Sequence, residues 1–117
     1  MKVRLVDIAH ARSGDKGDTA NVGVIAKRAQ WYPLIARELT EKRIADHFSG
    51  AITGDVKRYE LPNLFALNFL LHGALDGGGT LSLKTDAQGK VFSTAVLRMV
   101  LDVPDAEARQ LDLPAAP

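Results

Sequence analysis

The chain has 117 residues, no cysteine, and 15 basic against 14 acidic side chains, for a formal net charge of +1. That length fits one domain with enough interior to fold without staples. The missing cysteines exclude disulfide frameworks, thiolate zinc sites and cysteine nucleophiles, and the balanced charge leaves no footprint for nucleic acid or an anionic membrane.

No apolar run reaches the ~20 residues of a membrane span. Arg4 and Asp7 interrupt the apolar N-terminal stretch, so it does not read as a secretory signal. The expectation is a soluble, cytoplasmic protein.

Residues 2–9 read as a strand rich in β-formers, ending at polar, glycine-containing sequence. If the strand runs regularly through Arg12, then Val6, Ile8, His10 and Arg12 share one face. Residues 10–21, HARSGDKGDTAN, read as a polar connection, and 22–26, VGVIA, as a short strand buried on both faces. Pro33 suits the first turn of a helix that aligns Trp31, Leu34, Ile35 and Leu39. Thr40 reads as the N-cap of a second helix, with Glu41 in its first turn, Ile44, Ala45 and Phe48 on its apolar stripe and Gly50 at its end.

A third strand covers 55–61, with one face exposed. Pro62 and Asn63 stop it, and the almost wholly apolar 64–75 predicts a buried helix that ends at Gly77, Gly78 and Gly79. Residues 80–84 and 91–102 predict a hairpin around a turn at 86–90. In its second strand Val91, Ala95, Leu97, Met99 and Leu101 face one side, and Thr94, Arg98 and Asp102 the other. The domain is thus expected over 1–103, with 104–117 a loosely ordered tail. Strands grouped with helices between them indicate an α+β two-layer sandwich, mostly antiparallel, with a ferredoxin-like core and one additional strand.

Chemistry concentrates between His10 and Asn21. Arg12 offers a planar fork for a carboxylate or phosphate, Lys16 a point charge, and Gly14 and Gly17 a close backbone approach to an anion. Ser13 stands with them as a binding residue, and Asn21 is placed to orient a carbonyl. His10 is the leading acid–base candidate because an imidazole titrates near neutrality. Asp15 and Asp18 can move a proton if burial raises their pKa. The competing reading is a solvated turn in which Asp and Lys pair at the surface.

Elsewhere, His47 falls near a helix C-terminus, His72 and Asn68 fall in the apolar helix, and Tyr59 and Glu60 fall beside the site. Asn68 fits either a buried packing bond or an amide aimed at the site. No metal-binding spacing is present, and no cofactor is expected.

Three stretches, IAHARSGDKGDTANVGVIA at 8–26, RYELPNLFALNFLLHGALDGGG at 58–79 and LKTDAQGK at 83–90, resemble one family. It is the C-terminal domain of the AtuA-type acyclic-terpene-utilisation proteins. The resemblance implies a ferredoxin-like fold and a setting in the catabolism of branched or terpenoid acids handled as coenzyme A thioesters. Family members usually carry a larger N-terminal domain, which implies here a larger partner chain, a homo-oligomer, or both.

The expected role is a small subunit or accessory domain that binds a small acid or acyl-CoA. If it is catalytic, it takes part in a hydratase- or dehydratase-type (lyase) or proton-transfer step. The rival is a non-catalytic oligomerisation module built on the apolar segment 64–75.

Overall fold

The computed structural model describes residues 1–116 apart from 17, 18, 50, 51, 53 and 74–89. For Asp15, Lys16, Lys90 and Val91 it describes the backbone alone. The expectations for Gly17, Asp18, Gly50, the three glycines at 77–79, the strand at 80–84 and the turn at 86–89 lie outside the described residues.

The first predicted strand divides. β1 (Lys2–Arg4) is followed by a single helical turn, α1 (Leu5–Ile8), and then by β2 (Ala9–Lys16). Leu5 and Ile8 are both fully buried. Residues three apart point to opposite sides of a strand and to the same side of a helix, so burying both requires the turn. Val6 and Ile8 therefore do not continue the face of His10 and Arg12.

The expected polar connection is for the most part paired β-structure. β2 and β3 (Thr19–Ala26) run antiparallel in one register from Ala9↔Ala26 to Lys16↔Thr19. A 3-10 turn over Ala29–Trp31 leads into α2 (Tyr32–Glu38), with Pro33 in its first turn, and then α3 (Glu41–His47). Thr40 caps α3 as expected: its hydroxyl accepts from the Arg43 amide at 3.1 Å. Thr40→Ala should cost about 1 kcal/mol in urea unfolding, with α3 fraying first.

β4 (Val56–Leu61) then turns through a 3-10 segment, Pro62–Leu64, with Phe65 in the left-handed region at φ 52°. The chain returns as β5 (Ala66–Leu71), not as the predicted helix. The second strand of the predicted hairpin is also a helix over most of its length. α4 (Lys90–Leu97) buries Phe92 and Val96, four apart, and only β6 (Val100–Asp102) is extended. β6 pairs with β1, separate from a four-stranded antiparallel sheet in the order β2-β3-β5-β4.

This is an α+β fold whose core lies on one face of that sheet. Ala20, Val22, Val24 and Ala26 of β3 and Leu67, Phe69 and Leu71 of β5 all point to the core, beside Leu34, Ile35, Ile44 and Phe92 of the helices.

Beyond Pro104, where composition suggested a loose tail, the chain forms α5 (Asp105–Gln110). Ala108 and Leu113 are buried, and the Trp31 indole donates to the Leu111 carbonyl at 2.7 Å. Arg37 grips Glu107 through two hydrogen bonds, at 2.7 and 2.8 Å. Those bonds hold the Glu107 carboxyl below its ordinary pKa. A depressed carboxylate stabilises the fold above its unfolded pKa, and the benefit disappears as pH falls through the folded value. Glu107→Gln should therefore flatten the acid limb of a stability–pH curve measured by thermal melting.

Candidate binding site on the open sheet face

Register decides which side chains meet on the other face of the sheet. Arg12 lies opposite Gly23, Gly23 opposite Asn68, and Asn68 opposite Tyr59, so these four form one row across the sheet. The row to one side holds Gly14, Asn21, Leu70 and Lys57; the row to the other holds His10, Ile25, Ala66 and Leu61. Directly paired residues share a face, so all twelve positions belong to the face away from the core.

Gly23 makes this face concave. It leaves no side chain between Arg12 and Asn68, whose strands lie two ladder spacings apart, about 10 Å. A hollow of about 340 Å³ opens there, with Arg12, Gly14, Asn21 and Asn68 at its polar side and Ile25, Leu61, Leu64 and Ala66 at its apolar side. Ser13 also borders it, although its strand position alternates to the core face with Val22.

The two asparagines are fixed by each other. Asn21 Nδ2 donates to Asn68 Oδ1 at 3.3 Å. That bond uses the Asn68 oxygen, which also lies 3.9 Å from a Cβ placed on Gly23, and leaves the amide nitrogen free to donate. Gly14 has to lack a side chain, because a Cβ there would come within 2.9 Å of Asn21 Oδ1. Gly14→Ala should displace the Asn21 amide and weaken ligand binding several-fold. A binding titration beside a melting curve separates that effect from unfolding.

The Arg12 side chain has no hydrogen bond or ion pair among the described residues and is exposed. His10 shares its face, in phase with it as the strand period requires, but borders an adjacent hollow of about 380 Å³ with Val6, Lys27 and Leu97. Asp15 and Lys16 occupy the last two positions of β2. The side chains of Asp15 and Lys16, and all of Asp18, lie outside the described residues. The structure therefore brings Arg12, Ser13 and Asn21 together and sets His10 to one side.

Asn68 is the residue whose place the sequence analysis misjudged. In a helix it has no fixed relation to Asn21, whereas in β5 it sits one strand away. Its polarity inside ALNFLL was the available signal: it marks one face of an alternating strand. His72 follows β5 on the same face, its Nδ1 3.3 Å from Thr19 Oγ1. His47 is exposed at the end of α3, where its Nε2 donates to the Ala95 carbonyl at 2.7 Å. Tyr59 is not core: it is 52% exposed.

A helix-backed antiparallel sheet with a concave polar patch on its free face defines a small α+β domain. Residues 3–102 match the model of the AtuA ferredoxin-like domain, and the chain belongs to that family. The match points to the acyclic terpene utilisation proteins as its wider group. No curated protein and no solved structure matches the chain. No helix among the described residues is long and apolar enough to cross a membrane.

Proposed function

We propose that the hollow holds a small carboxylic acid with a compact apolar body, or the acyl group of its thioester. In this reading the protein acts in the cytoplasm as an accessory domain or small subunit in the breakdown of branched, terpenoid acids. The supporting observation is the row Arg12–Gly23–Asn68: a guanidinium and an amide on either side of a gap, with apolar side chains on the neighbouring row. A guanidinium fork matches a carboxylate in charge and geometry, and an amide N–H₂ serves a carbonyl oxygen without adding charge. The branched body packs on Ile25, Leu61, Leu64 and Ala66.

Removing a proton beside that carbonyl, or adding water across a neighbouring double bond, needs an acid–base group within hydrogen-bond reach. His10, one strand repeat from Arg12, supplies it in this reading. A larger partner chain closing over the open face completes the site and excludes water.

Gly23→Val tests the proposal most directly. A Cβ at Gly23 meets nothing nearer than 3.9 Å, so the strand accepts it, but the added methyls fill the floor of the hollow. Isothermal titration with short branched acids should show binding to the natural chain and at least about tenfold weaker binding to the variant. The melting temperature should hold or rise, since valine suits a strand better than glycine. Unchanged affinity in a folded Gly23→Val chain would overturn the reading.

The oligomerisation alternative has its own support. Leu61, Leu64 and Phe65 are 41–64% exposed where β4 turns into β5. Under it, Leu64→Glu lowers the sedimentation coefficient at micromolar concentration, while Arg12 and Gly23 variants do not.

A further inference from the structure

Arg12 belongs to two hollows at once. It borders the one between itself and Asn68, and also the adjacent one that holds His10, Val6, Lys27 and Leu97. Val6 and Leu97 in turn border a third hollow of about 380 Å³, with Arg4, Thr94 and Arg98. The shared residues set the three hollows side by side along one path, here called the groove. It starts on the open face, crosses at β2, which is an edge strand of the sheet, and ends between α1 and the C-terminal end of α4.

Charge along this groove is one-sided. The Arg98 side chain has no hydrogen bond or ion pair among the described residues and is exposed, while its backbone N–H donates to the Ala95 carbonyl. Lys27 spends one proton on the Val6 carbonyl at 2.9 Å and keeps two. Arg4 is held by Asp7 at 2.9 and 3.1 Å, the acid paired with this groove among the described residues. Between the two ends lie the apolar side chains of Val6 and Leu97, with His10 and Lys27 beside them and Val6 40% exposed.

We infer that the ligand is extended and carries a second oxyanion, held at the far end of the groove by Arg98 with Arg4. This rests on the reading of the first hollow as an acid or acyl site. The second oxyanion is a carboxylate or a phosphate ester, and an apolar spacer lies over Val6 and Leu97. A cationic group at each end, with Val6 and Leu97 between, selects for such a molecule over a simple monoacid, because each end adds a charge-assisted contact without further loss of rotational freedom.

The experiment uses the full chain and two probes. Inorganic phosphate is titrated first, with amide shifts followed by NMR. The shifts should cluster at Val6, Thr94, Leu97 and Arg98 and vanish in Arg98→Ala. Monocarboxylic acids of increasing length are then compared with the matching dicarboxylic and ω-phosphono acids by calorimetry at low salt.

At the best length the dianion should bind about tenfold more tightly than the monoacid, and Arg98→Ala should remove that gain while leaving the monoacid affinity unchanged. A larger gain from the phosphono series assigns a phosphate ester, and a larger gain from the dicarboxylates assigns a second carboxylate. Monoacid binding with no phosphate shifts and no dianion gain overturns this inference alone. Phosphate shifts at Arg98 without monoacid binding overturn the reading of the first hollow instead.

Discussion

Arg12→Ala should weaken the binding of a small branched acid by about ten- to a hundredfold and leave stability within about 0.5 kcal/mol of the natural chain. Both halves follow from one observation. The Arg12 side chain has no partner among the described residues and stands at the rim of a hollow floored by Gly23. A charged fork with no structural bond to break is costly to remove only when an anion is present. Arg12→Lys separates charge from geometry. It keeps the positive end but loses the planar pair of donors, so it should recover only part of the lost affinity. Calorimetry gives the affinities and a thermal melt gives the stability. Equal affinity in the natural and alanine chains would move the acid off this row altogether.

Asn68→Leu is the partner experiment. It removes the amide facing Arg12 and leaves Asn21 without its acceptor, so it should lower affinity for the acyl carbonyl and loosen Asn21 together. A double-mutant cycle with Arg12 should show coupling only when ligand is present.

How legible this site was depends on the residue. Of the four residues expected on one face, Arg12 and His10 share it and Val6 and Ile8 do not, because a strand period of two is readable only where the strand is regular and Leu5–Ile8 is a helical turn. Ser13 and Asn21 group with Arg12 by nearness in sequence; the hairpin register puts Asn21 on the face of Arg12, while Ser13 alternates to the core face and only borders the hollow. The connection itself was misread. Gly14 suggested a loop, but its lack of a side chain serves the Asn21 amide inside a ladder.

The larger error, at 64–75, has a physical cause. A central strand with one face in the core, and with Ala66 and Leu70 rather than charges on the other, gives an apolar run that composition cannot tell from a buried helix. α4 was the reverse case. Val91, Thr94 and Val96 are β-branched, and Ala95, Leu97 and Met99 alternate by chance, while the pair Phe92 and Val96, four apart, carries the helical signal. Pro33, Thr40 and the stretch 55–61 were readable because a proline, a capping hydroxyl and a charge-interrupted strand act locally. α5 was missed because its one inward residue, Ala108, is small, and its anchors are the distant Trp31 and Arg37.

Phe69→Ala should be the most destabilising single change, at about 3–5 kcal/mol. Phe69 is fully buried in β5, paired across with Val22 of β3 and Arg58 of β4, so its ring lies under the middle of the four-stranded sheet. Removing it leaves a cavity that two ladders prevent from collapsing. Against a domain stability of about 5–15 kcal/mol, the loss brings the urea midpoint close to zero for the less stable end of that range.

Leu70, its neighbour, is the informative control. It faces the open side and is half-buried, so Leu70→Ala should cost about 1 kcal/mol or less. In a helix packed on all sides the two substitutions would cost similar amounts, since successive residues there are both enclosed. A steep contrast between adjacent positions is the mark of a strand with one covered and one free face. The same alternation leaves Asn68 uncovered beside Gly23. Comparable losses at 69 and 70 would mean that something covers the open face, and sedimentation of the natural chain would then show whether a second copy does so.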